Sequence, residues 1–239
     1  WPYIRLADCV TSVSKPLAEY YASRYDRIVH YVPNGVSREE GDVDLIAARD
    51  LLASHKVGAG EYILFAAGRI IPIKGAHLLL EAFRSLPADL SLLVVGDTSQ
   101  VPWYAEELHR LADSRAVFVP TVEKSTLFGL VRLARFFVFP STVEGMSMML
   151  LEVASLGTPL VTSDIPENAT VLPQHALFFK SGDIDDLRSK LDWALHHPDQ
   201  MHDIGDRAKT WVMKNYHWDS IVSQYEALYQ RIGRGTKGS

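Results

Sequence analysis

Arg69 and Lys74 stand in the run Gly68-Arg69-Ile70-Ile71-Pro72-Ile73-Lys74-Gly75 and, His77 aside, are the only charges between Glu61 and Glu81. A guanidinium fork beside a lysine point charge, with a glycine at each end of the loop, suits a polyanion such as a diphosphate. Two solvated loop charges are the competing reading. A second run holds Glu144-Gly145-Met146-Ser147-Met148 and then Glu152, the one charged residue from Gly145 to Ser163. Inside an apolar helical stretch an unpaired carboxylate is costly, so Glu152 is expected to accept hydrogen bonds from ligand hydroxyls or from backbone. Glu144 precedes the same helix. Gly145 lets the backbone turn closely there, and the amides from about Met146 to Met148 are free donors for an anion. A carboxylate that merely complements the helix dipole, worth about 0.3 to 1 kcal/mol, is the alternative for Glu144.

These loops need a frame. Short apolar runs at 62–67, 92–95, 116–119, 136–139, 159–162 and 176–179 alternate with helical patterns from Gly75, over 102–112, 127–134, 146–156 and 184–196. The runs are continuously apolar rather than alternating, which means burial on both faces and hence a parallel sheet covered by helices on each side. The fold class read from this is α/β with a doubly wound, Rossmann-like parallel sheet. Right-handed crossovers place every strand-to-helix loop along one edge, where ligands of such folds bind. Outside this core, 9–14 and 28–32 read as short strands, and Ser14 as the cap of a helix with Pro16 in its first turn. The charged stretch from Val36 to Gly60 reads as linker. The last helix carries Trp218, Ile221, Val222, Tyr225, Leu228, Tyr229 and Ile232 at spacings of three and four, followed by a polar tail from Gly233 to Ser239.

Arg69 and Lys74 within G-R-x4-K-G, with Glu144 and Glu152 as E-x7-E, resemble the retaining glycosyltransferases of family 4, whose fold is the two-domain GT-B type. The flanks Val32-Pro33-Asn34-Gly35-Val36, Leu93-Val94-Val95-Gly96-Asp97 and Gly157 to Asp164 agree, and the similarity runs from about Ala7 to Ile232. The resemblance implies that Arg69 and Lys74 hold the diphosphate of a UDP-, GDP- or ADP-sugar donor and neutralise the departing nucleotide. It implies that Glu152 takes the ribose hydroxyls and Glu144 hydroxyls of the transferred sugar. Gly68 and Gly145 to Met148 (Gly145, Met146, Ser147, Met148) would offer backbone to sugar and phosphate, and the loop around Thr121 and Val122 would meet the base. No metal and no cofactor beyond the donor substrate is implied, because fixed cations and amides stabilise the charge that builds on the leaving diphosphate. Family members commonly carry Phe and Gly where this chain has Met146 and Ser147. Phosphate contact through the Ser147 amide is expected to survive, and the sugar pocket is expected to differ at Met146.

The resemblance also divides the chain. Residues 1–36 would be a remnant of the N-terminal acceptor domain, 37–216 the donor domain, and 217–239 a crossover helix and tail. The implied partner is therefore the missing N-terminal domain, and the chain alone is expected to transfer no sugar. The acceptor, whether glycan, lipid or small molecule, is not specified by these residues.

Composition sets the remaining limits. The 239 residues are 47% hydrophobic and 22% charged with a net charge of -5, which excludes long disorder and gives no basic field for nucleic acid. The single cysteine, Cys9, excludes an internal disulfide or multi-cysteine metal site and fits a reducing, cytoplasmic setting. No apolar run approaches the roughly 20 residues that span a bilayer. Peripheral association stays open through Lys15, Arg24 and Arg27, for which ordinary surface charge is the competing reading. Asp164 and Glu167 are expected to cap a helix, and Trp193, Trp211 and Trp218 to pack the C-terminal helices. Two other function classes remain: a nucleotide-sugar epimerase on a related fold, and a non-catalytic nucleotide-binding module. An NAD-linked enzyme is disfavoured because no G-x-G-x-x-G follows a strand.

Overall fold

A computed structural model describes residues 2–37 and 43–235. Six strands form one parallel sheet: β3 (Tyr62–Arg69), β4 (Ser91–Asp97), β5 (Ala116–Val119), β6 (Phe137–Phe139), β7 (Leu160–Ser163) and β8 (Leu177–Phe179). Their spatial order is β5-β4-β3-β6-β7-β8. The chain thus winds outward from β3 in one direction, returns, and winds outward in the other. This reversal is a switch point at the loops that follow β3 and β6, and doubly wound folds bind ligands in the crevice at the carboxyl ends of the strands there. The fold class read from the sequence is the one observed.

Both faces of the sheet are covered, which explains the unbroken apolar runs. Ile63 and Phe65 point to one side, against α4 (Ala76–Phe83), α5 (Pro102–Leu111) and α9 (Ile184–His196). Tyr62, Leu64 and Ala66 point to the other, against α3 (Leu45–Ser54), α6 (Lys124–Leu133), α7 (Met148–Ser155) and α10 (Pro198–Asn215). Alternation exists within each strand, but both destinations are dry, so it leaves no polar trace.

Helix α3 corrects the linker reading of residues 36–60. Asp44 caps it, accepting from the Ile46 and Ala47 amides at 3.0 and 2.9 Å, while Ala48 and Leu52 are buried. Gly129 lets α3 lie close to α6: a Cβ there would stand 2.4 Å from the Asp44 carbonyl and 2.7 Å from the Ala48 Cβ. The charges at 38–42 that suggested a linker lie outside the described residues. Helix α8 (Pro166–Val171) is capped by neither Asp164 nor Glu167. Asp164 instead accepts from the Ser181 amide at 2.8 Å, tying the loop after β7 to the one after β8. Glu167 sits in the first turn of α8, where its charge suits the dipole.

The N-terminal residues form α1 (Pro2–Leu6) and a small β-α-β unit: β1 (Val10–Ser12), α2 (Lys15–Tyr25) and β2 (Val29–Tyr31), the two strands pairing in parallel. Ser14 caps α2 and Pro16 follows, as expected. Arg27 does not look outward to lipid. Its guanidinium donates to the carbonyls of Ile4, Arg5 and Ala7 and pins α1.

Two chain crossings join this unit to the sheet side by side. The Val36 amide donates to the Tyr216 carbonyl at 2.8 Å and the Trp218 amide to the Val36 carbonyl at 3.2 Å. A Cβ on Gly35 would meet the Trp218 ring at 2.7 Å, so Trp218 packs on this crossing rather than among the C-terminal helices. Trp193 does pack there, stacking on His197, while Trp211 ties α10 to α8, its Nε1 donating to the Val171 carbonyl at 3.0 Å. Helix α11 (Trp218–Gly235) extends three residues into the expected tail, and 236–239 lie outside the described residues. No helix among the described residues is long and apolar enough to cross a membrane.

Candidate functional site

The crevice is built by close backbone approaches that the sequence permits at a few glycines. Gly75, at φ 74, ends the 3-10 turn Pro72–Lys74 and opens α4. A Cβ there would stand 2.1 Å from the Pro140 carbonyl oxygen, so this glycine lets the loop after β3 lie against the loop after β6. The Thr142 amide donates to the Ile73 carbonyl at 2.8 Å across the same junction. Gly96, at φ 143, brings β4 against β3 in the same way, where a Cβ would lie 1.8 Å from the Ala67 carbonyl. Gly68 and Gly145 are different. Both would accept a Cβ into open space, which leaves their backbone exposed along the crevice.

This packing brings together Lys74 and Glu144, residues 70 positions apart. The Lys74 Nζ lies 2.6 Å from Glu144 Oε1, with side chains 23% and 8% exposed. Arg69, at the end of β3, is solvent-exposed and has no ion pair among the described residues. Past Glu144 the chain enters α7 through Ser147, whose Oγ accepts from the Leu150 amide at 3.3 Å. The helix starts at Met148, two residues later than the sequence pattern suggested, because Ser147 is its cap. The amides of Met148 and Met149 then have no carbonyl one turn back in the helix. The Met146 sulfur accepts from the Asn34 amide at 3.2 Å and so touches the N-terminal unit.

Glu152 is the residue for which sequence reasoning lacked a partner. Lys124, in the first turn of α6, supplies one: its Nζ lies 2.6 Å from Glu152 Oε1. The Lys124 side chain is 64% exposed and also lies over the Phe128 ring at 5.1 Å, while Glu152 is 15% exposed. Both line a cavity of about 140 Å³ with Met148, Phe128, Gly35 and Trp218, so Glu152 opens on the chain crossing as well as on α6. No local signal could have found Lys124, since the pair is made by the packing of α6 beside α7. Val122 is half-buried against the sheet's second face, while Thr121 beside it is exposed.

The edge of the site is stiffened behind these groups. Tyr104 is buried; its hydroxyl accepts from the His77 amide at 3.2 Å and lies 2.8 Å from His77 Nδ1, fixing the first turn of α4. Burial raises the Tyr104 hydroxyl to about 12, and desolvation lowers His77 below the usual histidine range. Asp97 ends β4 and accepts from the Ser99 amide and hydroxyl and from Gln100, bonds that hold its carboxyl below the ordinary range. It is a loop-forming residue at the end of β4. Buried Ser141, between β6 and Glu144, keeps an unpartnered Oγ.

The arrangement therefore offers one unpaired cation, a partly buried lysine–glutamate pair, free helix-terminal amides and a second glutamate, all on the carboxyl side of the sheet. Comparison with known proteins points the same way. The chain is 27% identical over 202 residues to the serotype-specific mannosyltransferase WbdA of Escherichia coli, a match covering 79% of this chain and 24% of that protein. It is 28% identical over 230 residues to the D-inositol 3-phosphate glycosyltransferase of Xylanimonas cellulosilytica, covering 90% of this chain and 54% of the relative. It thus spans only about a quarter to a half of these relatives. Among solved structures, Anabaena Alr3699/HepE in complex with UDP and glucose superposes with a TM-score of 0.84 at 17% identity, over 96% of this chain and 65% of that one. The sequence profile described as "Glycosyl transferases group 1" matches residues 49–211, from within α3 to α10, and the chain belongs to that family.

Proposed function

We propose that this chain is the donor-binding part of a retaining glycosyltransferase that takes a nucleoside-diphosphate sugar, with 37–216 as the donor domain and 1–36 belonging to the acceptor domain. The observation that carries the reading is the set of groups at the crevice between β3 and β6: Arg69, Lys74, the amides at the start of α7, and Glu144 and Glu152. In the reaction, the bond between the anomeric carbon and the diphosphate oxygen breaks, and its electron pair leaves with the nucleotide. The oxygen of an acceptor hydroxyl then bonds the anomeric carbon as its O–H bond breaks, the proton passing to the leaving diphosphate. Negative charge gathers on the leaving diphosphate, so fixed donors placed there act where the transition state needs them. Arg69 and Lys74 supply formal charge and the Gly145–Met148 backbone supplies dipoles. Glu152 accepts from the ribose hydroxyls and Glu144 from the sugar hydroxyls, so both hold the donor in position and neither is assigned a covalent step.

The structural relatives support a nucleotide-sugar donor, since Anabaena Alr3699/HepE has been solved with UDP and with UDP-glucose. Calorimetric titration of this chain with UDP, GDP and ADP tests the reading. Binding of one of them, with no sugar transfer until the rest of the enzyme is present, is the expected result. Sugar isomerisation by the intact enzyme given donor alone would favour the epimerase reading, and nucleotide binding without any transfer by the intact enzyme would favour a binding module.

A further inference from the structure

We infer that the Lys74–Glu144 pair makes the site select a nucleoside diphosphate that carries a sugar over the bare diphosphate; this rests on the donor-site reading above. Without ligand this pair neutralises itself. Lys74 is spent on Glu144 at 2.6 Å, with the carboxylate only 8% exposed. A diphosphate that recruits Lys74 competes with Glu144 for the ammonium, drawing it away wholly or in part. The carboxylate is then a largely buried anion short of its cation, next to an anionic ligand, and leaving such a group under-paired is unfavourable. Hydroxyl donors can replace the lost ammonium, because a carboxylate is an acceptor only and is satisfied by O–H as well as by N–H. A sugar joined to the diphosphate brings such donors and the bare diphosphate does not. Binding therefore exchanges partners at both ends: Lys74 trades a carboxylate for phosphate, and Glu144 trades an ammonium for sugar hydroxyls.

Lys124–Glu152 is a built-in control. It is an ion pair of the same 2.6 Å length, but the group it would meet is the ribose, which both ligands carry. Its exchange weighs on the two ligands equally.

The test is calorimetry on this chain with matched probes: UDP against UDP-glucose, GDP against GDP-mannose and ADP against ADP-glucose. Glu144→Gln keeps the shape and removes the competing charge. It is expected to tighten the bare diphosphate by about threefold, the worth of releasing a partly exposed ion pair, and to loosen the sugar nucleotide by about tenfold through a weakened charged hydrogen bond. Lys124→Gln is expected to shift both ligands by one common factor. If Glu144→Gln weakens both ligands alike, or leaves the bare diphosphate unchanged, the exchange is overturned while the donor site stands. If the wild-type chain binds none of the six probes, the donor-site reading itself falls. Should Glu144→Gln fail to fold, the wild-type affinities decide: the sugar nucleotide must bind more tightly than its own diphosphate, and equal affinities overturn the exchange.

Discussion

The two edges of the six-stranded sheet differ in a way that volume alone misleads about. The edge at the amino ends of β6 and β7 has the larger hollow, about 610 Å³, against about 140 Å³ beside Glu152. Yet its charged groups already have work in the fold. Arg132 occupies the last turn of α6, and α7 and α9 also end nearby, so cations there complement helix carboxyl ends. Arg135 Nε donates to the Gly60 carbonyl at 2.6 Å, and His202 pairs with Asp206 at 3.4 Å. At the opposite edge Arg69 has no ion pair among the described residues, the first amides of α7 have no carbonyl one turn back, and two carboxylates are each held by a lysine. A site is marked by groups whose demands the fold leaves unmet rather than by the size of a hollow.

Substitutions separate the edges most sharply in the intact enzyme. Lys74→Ala and Glu152→Ala should each lower kcat/KM for the donor by about ten- to a hundredfold, the worth of a hydrogen bond to a charged group. Arg132→Ala at the other edge should leave it within about twofold. Full activity in the first two variants would remove the roles given to them.

Glycines extend the comparison to stability. Gly75→Ala forces both a positive φ and a 2.1 Å contact with Pro140, and Gly205→Ala forces a 2.3 Å contact with the Gly157 carbonyl on the opposite edge. Each should cost roughly 2 to 4 kcal/mol in denaturant unfolding. Only Gly75→Ala should also weaken nucleotide binding in the fraction that folds, because only it displaces Lys74 from Glu144.

A pH dependence follows from Tyr104. Burial raises its folded pKa to about 12, above the unfolded value near 10, so the neutral hydroxyl stabilises the fold below pH 10. That contribution, about 3 kcal/mol, is lost as pH rises from 10 towards 12. Tyr104→Phe should therefore flatten the decline of stability in this window. An unchanged slope would show that Tyr104 titrates normally. The smallest effect is expected far from the crevice: Asp44→Ala removes the α3 cap and should cost about 1 kcal/mol without changing nucleotide affinity.

Much of this was readable in the amino-acid order, for a physical reason. Strands buried on both faces must be continuously apolar, so β3 to β8 announced themselves and their parallel arrangement. Helix α3 was hidden by the neighbouring charges, although Asp44 before Leu45-Ile46-Ala47-Ala48 is a capping signal that can be read. Helix α8 has only six residues, too few for a period to show. Within the site, residue types suggested anion binding at Arg69 and Lys74 and hydrogen-bond acceptance from hydroxyls or backbone at Glu152, while the sugar-hydroxyl role of Glu144 came from the family resemblance. What spacing could not supply was the meeting of Lys74 with Glu144 and of Lys124 with Glu152. Both depend on β6 returning to the far side of β3 and on α6 lying beside α7, long-range consequences of the winding order.

The most direct test is titration of the 239-residue chain with UDP, GDP and ADP, wild type beside Lys74→Ala. The account predicts that one nucleotide binds the folded wild-type chain and that Lys74→Ala, equally folded by circular dichroism, weakens it by about tenfold or more. Equal affinity in the two proteins, or no binding by either, would contradict a diphosphate site at the crevice between β3 and β6.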